Sequence, residues 1–370
     1  MNKKAVAGIA FIAVTMGSSA SWANRVEVST PCSAPESTVG SKTTKAAAVM
    51  SGLISDHVSG QVSSGSAGSA SSDTTTPNFG VAAQANSCGE TPAPAPVPTL
   101  TDTDQAASSK KSNNENGVWV ADSYSWMFKD DPNAKFHGQV ANSIVGFDHK
   151  LNNATVAGVA LGYEHYNFKT DYNGGTVLGH NWTVAPYVGY AVNEWLSLDA
   201  TAGHGWVSYD YTRTNDSISG STTASRWFGS ADINAKERFD DFVLRGSVGY
   251  LKIFEDQKGY TETDGTNNDK SQVNLGQGRV TVAGSYELKE SWGTYSPNGF
   301  IRYEYDFNAP PSSTVSTTGV VSSNRMGATF GLGSDFILND GWKLGFSGSA
   351  EEFRRNSSLY TLMGTARYSF

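Results

Sequence analysis

The stretch Ile301-Arg302-Tyr303-Glu304-Tyr305-Asp306-Phe307 decides the fold. In an extended chain successive side chains point to opposite faces. Ile301, Tyr303, Tyr305 and Phe307 therefore share one side, and Arg302, Glu304 and Asp306 the other. A soluble sheet has no good place for both faces, because one would bury charges and the other would leave aromatic rings in water. A barrel set in a membrane accommodates them, with the aromatic face against lipid and the charged face lining a wet lumen.

The same register recurs along the chain. Phe242, Leu244, Val248 and Tyr250 oppose Arg245 and Ser247. Val280, Val282 and Tyr286 oppose Arg279, Thr281 and Ser285. Met326, Ala328, Phe330 and Leu332 oppose Arg325 and Thr329, and Trp342, Leu344 and Phe346 oppose Lys343, Ser347 and Ser349. Working outward, twelve candidate strands fall near 117–127, 138–150, 155–167, 180–192, 195–209, 224–235, 241–254, 272–288, 298–307, 324–337, 342–352 and 358–370. Asp122 interrupts the apolar face of the first, Asn142 and Ser143 dilute the second, and Pro186 sits inside the fourth, where proline removes a ladder donor.

The links support the pattern. Those at 152–154, 193–194, 236–240 and 339–341 are short, and those at 129–135, 169–179, 210–223, 256–270 and 308–323 are long. Short and long alternate as periplasmic turns and external loops do in outer-membrane barrels. The link at 289–296 is longer than its short fellows. The last strand is itself a signal: Tyr360, Leu362, Gly364, Ala366, Tyr368 and the terminal Phe370 share one face, while Thr361, Thr365, Arg367 and Ser369 share the other. An aromatic last residue on such a strand looks like the signal read by the barrel-assembly machinery, so that machinery and periplasmic chaperones are expected partners of this chain. Such a residue equally suits an interfacial anchor.

The chain divides into residues 1–23, 24–112 and 113–370. Asn2, Lys3 and Lys4 precede an apolar run over 5–16, and Ser21 and Ala23 form a cleavage site, so 1–23 read as an export signal peptide. That run is shorter than the roughly 20 residues a bilayer-spanning helix requires. Residues 24–112 are rich in Ser, Gly, Thr and Pro, as in 59–76 and the alternating prolines of 91–99. Such a composition cannot bury enough apolar surface to offset its ordering entropy, so a largely disordered region is expected. Within it, Val49, Met50, Leu53, Ile54 and Val58 would share one face of a short helix over 45–58, marginal on its own. Cys32 and Cys88 lie in this region and would either pair in an oxidising compartment or remain separate thiols.

Composition narrows the function. Of 370 residues only 17% are charged, 39 are glycine and 11% are aromatic, which suits a membrane barrel better than a soluble domain. The net charge of −8 leaves no excess of cations for phosphates, so no nucleic-acid partner is expected. No metal or cofactor motif is present, and the cysteines lack a neighbouring ligand at metal spacing. Outer-membrane lipid and lipopolysaccharide are the expected surroundings.

Taken in order, Gly117-Val118-Trp119-Val120, Gly158-Val159-Ala160-Leu161-Gly162-Tyr163, Ala185-Pro186-Tyr187-Val188-Gly189-Tyr190, the run 300–305 and Ala366-Arg367-Tyr368-Ser369-Phe370 resemble the translocator domain of the autotransporters, the type V secretion family. The resemblance covers about two-thirds of the chain and implies a twelve-stranded outer-membrane barrel threaded by the segment before its first strand. It departs at the passenger, since 24–112 carry no repetitive β-helical sequence and no Ser/His/Asp arrangement. The expected arrangement has residues near 100–116 in the pore, Lys110 and Lys111 beside Glu304 and Asp306, and the N-terminal region at the cell surface.

The inner face offers Arg226, Arg245, Arg279, Arg302, Arg325 and Arg367 against Glu164, Asp199, Glu304, Asp306 and Glu351. Such a lumen would grip a threaded segment or pass small polar solutes, and lumenal charge alone does not separate the two. The alternative reading is thus a small-solute porin-like channel, or a structural barrel with a periplasmic tail. Enzymatic readings are weaker. Asn113-Asn114 lacks the motif that surrounds a self-cleaving junction. His204 and Ser208 share a strand face, as a lipid-facing hydrolase pair would. Asp240-Asp241 reads as a turn.

Overall fold

A computed structural model describes residues 48–55, 57–59, 61, 115–130, 135–308, 325–354 and 357–370. Twelve long strands make the wall: β1 (Asn116–Lys129), β2 (Phe136–Lys150), β3 (Thr155–Thr170), β4 (Gly175–Ala191), β5 (Leu196–Arg213), β6 (Ile218–Phe239), β7 (Phe242–Gln257), β8 (Ser271–Tyr286), β9 (Gly293–Asn308), β10 (Met326–Leu338), β11 (Trp342–Arg354) and β12 (Ser357–Ser369). Each pairs antiparallel with its sequence neighbour, and β1 pairs with β12 from Gly117↔Ser369 to Lys129↔Ser357. The sheet is therefore a closed ring without a free edge, which removes the unpaired backbone groups an open sheet would expose. The seam is tied at its last residue: the Asn116 amide donates to the Phe370 carbonyl at 3.1 Å, and the Phe370 amide donates back at 3.0 Å.

The two faces separate as the alternation requires. On β1, Trp119, Ala121, Ser123, Ser125 and Met127 are buried inside, while Val118, Val120, Tyr124 and Phe128 are exposed outside. Asp122 lies on the outer face between Ser143 and Gly364, the small neighbours its register supplies. Exposed rings form two belts. Trp182, Trp206, Trp227, Tyr250 and Tyr360 belong to one, and Tyr190, Trp195, Phe242, Tyr286, Trp342 and Tyr368 to the other. From Tyr360 to Tyr368, at ~3.3 Å per residue, the belts stand about 26 Å apart along the strand, or about 20 Å along the axis at a tilt of about 40°, so the rings lie at the two edges of the apolar band.

Pro186 is accommodated by a local gap. The β4–β5 ladder pairs Val184 with His204 and Tyr187 with Thr201, missing the positions between and resuming in the same register. The Thr201 hydroxyl bonds the Pro186 carbonyl at 3.0 Å across this gap. The overlong link after β8 also resolves: Leu288–Glu290 pair with the start of β9, leaving a tight turn that ends at Gly293, where φ is +151°. A Cβ there would lie 2.0 Å from the Ile337 carbonyl oxygen, so only glycine fits.

Two of the long links expected from sequence are instead strand. β3 and β4 continue to a turn at 171–174, and β5 and β6 to a turn at 214–217. The apolar outer stripe ends there because wall beyond the lipid faces water outside, as at Lys169 and Asp210, while Phe168, Val177, Tyr209 and Tyr211 pack inward in a buried cluster and backbone pairing continues unchanged. The second turn uses three consecutive left-handed residues, Thr214, Asn215 and Asp216, a conformation that Asn and Asp tolerate. After β7 a small hairpin, Tyr260–Thr261 with Asn267–Asn268, caps this extended wall.

One helix is described, α1, over residues 48–61, with 56 and 60 outside the described residues. It takes in 48–58 of the amphipathic stretch expected over 45–58, the first three positions of which lie outside the described residues. Its apolar face does not remain marginal, because Met50, Leu53, Ile54 and Val58 are buried together with the wall residues Trp119, Ile144, Tyr187 and Leu251. Trp119 lies on the inward face of β1 with Ala121 and Ser123, so α1 lies inside the barrel.

Candidate functional site

The site is the lumen with α1 in it. The wall is small where the helix seats: Ala121, Ala160 and Ala185 join the buried cluster, and a Cβ on Gly162 would come within 2.9 Å of Met50 Sδ. Polar tethers fix depth and rotation. Ser55 Oγ is 2.9 Å from Asp199 Oδ1 on β5 and 2.9 Å from Asp232 Oδ2 on β6, so its single proton serves one carboxylate at a time. Arg279 donates to the same Asp232 at 3.0 Å, and Asn234 donates to Asp199 at 2.6 Å.

Lower down, His57 stacks on Trp119 at 4.0 Å and 21°, with the Tyr187 ring edge-on at 6.1 Å. His57 Nε2 is 3.0 Å from Asp148 Oδ2, and Arg367 holds the other oxygen of Asp148 at 2.5 Å. Trp119 Nε1 donates to the Tyr187 hydroxyl at 2.8 Å. β1, β2, β4 and β12 thus meet α1 through one connected group.

Toward the loop end two further networks line the wall. Arg226, 1% exposed, donates to Glu164 at 2.9 Å and to Glu255 at 2.6 Å, and Tyr209 donates to the other oxygen of Glu255 at 2.5 Å. Arg354 collects Asp306 at 2.6 Å, Glu304 at 3.2 Å and Glu351. Buried charges of this kind persist only when paired and hydrogen-bonded.

The eight residues expected to line the pore divide accordingly. Arg279 and Arg367 belong to the tethers, the first through Asp232 and the second through Asp148. Glu304, Asp306 and Glu351 converge on Arg354, a cation the sequence reading passed over at the end of its strand. Arg302 Nε donates to Thr281 at 3.2 Å, and Arg245 donates to Ser285 at 2.9 Å near the short-turn end. Arg325 stands exposed at the loop end, just before β10. Tyr360, Leu362, Tyr368 and Phe370 are exposed on the outer face, with Gly364 in the same register. Cys32, Cys88, Lys110, Lys111 and Asn113-Asn114 lie outside the described residues, as does most of 100–116. His57, Ser55 and Asp148 were missed, although Ser55 and His57 punctuating an apolar helix was the available signal.

His204 and Ser208 do not meet. His204 Nε2 is 2.8 Å from Ser225 instead, and the ring sits between Trp206 at 4.5 Å and Trp227 at 4.3 Å. Among the described residues no carboxylate or amide orients its second nitrogen, so the histidine reads as part of the aromatic belt.

A closed barrel with belts of exposed rings, and a helix seated in its lumen, defines a translocator-type barrel of the outer membrane. The family model Autotransporter beta-domain matches residues 118–349, and the chain belongs to that family. Among solved structures it is similar to the translocator domain of the autotransporter NalP from Neisseria meningitidis, at 14% identity and TM-score 0.63, covering 90% of this chain and 99% of that one. It is also similar to the β-domain of the Bordetella autotransporter BrkA, at 15% identity and TM-score 0.60, covering 69% and 100%. The transport unit of AIDA-I from Escherichia coli follows at 12% identity and TM-score 0.52, covering 73% and 93%. At these identities the structures bear on fold alone. No curated protein sequence matches the chain.

Proposed function

We propose that this barrel anchors in the outer membrane a segment of its own chain that has passed through the pore, with α1 as the part left in the lumen. The observation that carries this reading is the fit of α1. Its apolar face is buried against inward-facing wall residues, large ones such as Ile144 and Leu251 and small ones such as Ala160 and Ala185, and Ser55 and His57 reach carboxylates on separate strands. A helix merely trapped in a wet channel needs neither. The chain ahead of α1 would then reach the cell surface, and whatever it does there is independent of the barrel. The lipid-facing last strand ending in Phe370 would be handed by periplasmic chaperones to the barrel-assembly machinery, and the outer belt would sit among lipopolysaccharide.

Deletion of 48–61 tests the reading. In a planar bilayer the deleted barrel should conduct several-fold more than the intact one, while unboiled protein still migrates as a folded barrel. Equal conductance from both would mean that α1 does not fill the pore, and the porin-like reading would take its place.

A further inference from the structure

We infer that residues 62–114 are held on the periplasmic side as a loop tethered at both ends, so that the exported part of this chain is what precedes α1. The inference rests on the translocator reading and adds which segment is cargo.

The direction of α1 carries it. Near its start, Met50 lies against Gly162, well inside β3. Ser55 reaches Asp199, close to where β5 begins, and His57 reaches Asp148, close to where β2 ends. Ser59 borders a cavity it shares with Asn193, Glu194 and Trp195 of the turn between β4 and β5. The helix therefore descends toward the end that carries the short turns. Both junctions of the barrel lie at that same end: the Glu115 carbonyl accepts from Lys150 at 2.7 Å, and Asn116 pairs with Phe370. Short turns mark the periplasmic side of such barrels.

The chain thus leaves α1 after residue 61 and enters β1 after residue 115 at one mouth. A visit to the cell surface between those points would need two more passes through a lumen already holding a helix about 10–12 Å across. That helix touches β1 and β2 on one side and β5 and β6 on another. By contrast, α1 begins at Ala48 higher in the pore, so its first residue is on the side of the loop end. Extended at ~3.3 Å per residue, the stretch from Ala48 back to Cys32 reaches about 50 Å, enough to clear the pore. Cys32 and Cys88 then fall on opposite sides of the membrane and cannot pair within one molecule. The alternating prolines of 91–99 belong to the periplasmic loop.

The two native thiols make the test. In C88S and C32S variants, each with one thiol left and each confirmed as a folded barrel by its unboiled migration, intact cells are treated with a bulky polyethylene-glycol maleimide. After reduction, the chain carrying Cys32 should shift on a gel in intact cells, and the chain carrying Cys88 only once the outer membrane is permeabilised. An epitope tag beside Ser66 should behave as Cys88 does. Modification of Cys88 or staining of that tag in intact cells would overturn the inference. If both thiols are protected until permeabilisation, the periplasmic loop stands and the export reading fails, so the two fail separately.

Discussion

Gly162 and Arg354 shape the pore in different ways. Gly162 leaves room for Met50, and a branched side chain there would occupy the space of the sulfur. Gly162→Ile should unseat α1 while keeping the wall, because position 162 of β3 still pairs with Ile144 and Thr183 through its backbone. The expected result is raised bilayer conductance with unchanged unboiled migration. Arg354 is the opposite case, a structural cation. Arg354→Ala would leave Glu304, Asp306 and Glu351 crowded without a counter-charge, at a cost of about 3–5 kcal/mol. Urea unfolding followed on gels should show this loss, and an unchanged midpoint would mean that water, not Arg354, carries those carboxylates. His57 and Ser55 were not legible as tethers, because their partners, Asp148, Asp199 and Asp232, are distant in sequence and meet them only once the barrel closes.

At the scale of elements, alternation made the strands readable wherever lipid lies on one side and water on the other. It failed at 169–179 and 210–223, where the outer face meets water instead of lipid and the apolar side chains, such as Val177 and Tyr211, point inward. The helix was readable as an amphipathic segment from Val49, Met50, Leu53, Ile54 and Val58, yet a periodic face states that something covers it without stating what. Face assignment is testable on β8. Val282 is exposed outside between the belts, so Val282→Arg should destabilise the barrel by about 2–4 kcal/mol, whereas Thr281→Gln on the lumen side should cost far less. Equal losses would show that the register, or the lipid-facing assignment of Val282, is wrong.

The hairpin over 260–268 gives a pH-dependent element. The Thr266 amide and hydroxyl, then Arg213, hold the Asp264 carboxyl below its ordinary 3.8. A depressed carboxylate contributes stability that is present above its unfolded value and disappears as pH falls through the lower folded value. Amide exchange in the hairpin should therefore accelerate below about pH 4, relative to the barrel strands. In Arg213→Gln the hairpin should already exchange faster at pH 7, and its acid transition should move upward.

For the whole molecule, closure between β1 and β12 means that the wall is complete only when the last residue of the chain is in place. Removing Phe370 breaks both backbone bonds to Asn116, and the seam should then open first on heating, lowering the temperature at which unboiled migration is lost. The lumen also carries its own optical probe. Of nine tryptophans in the sequence, Trp119 is buried inside against His57, while Trp182, Trp195, Trp206, Trp227, Trp292 and Trp342 are exposed. In vesicles made with brominated lipid, the rings against acyl chains should darken and Trp119 should keep its emission. A red shift in that remaining light would signal that water has replaced the imidazole, and would report in real time, without any label, whether the pore is occupied.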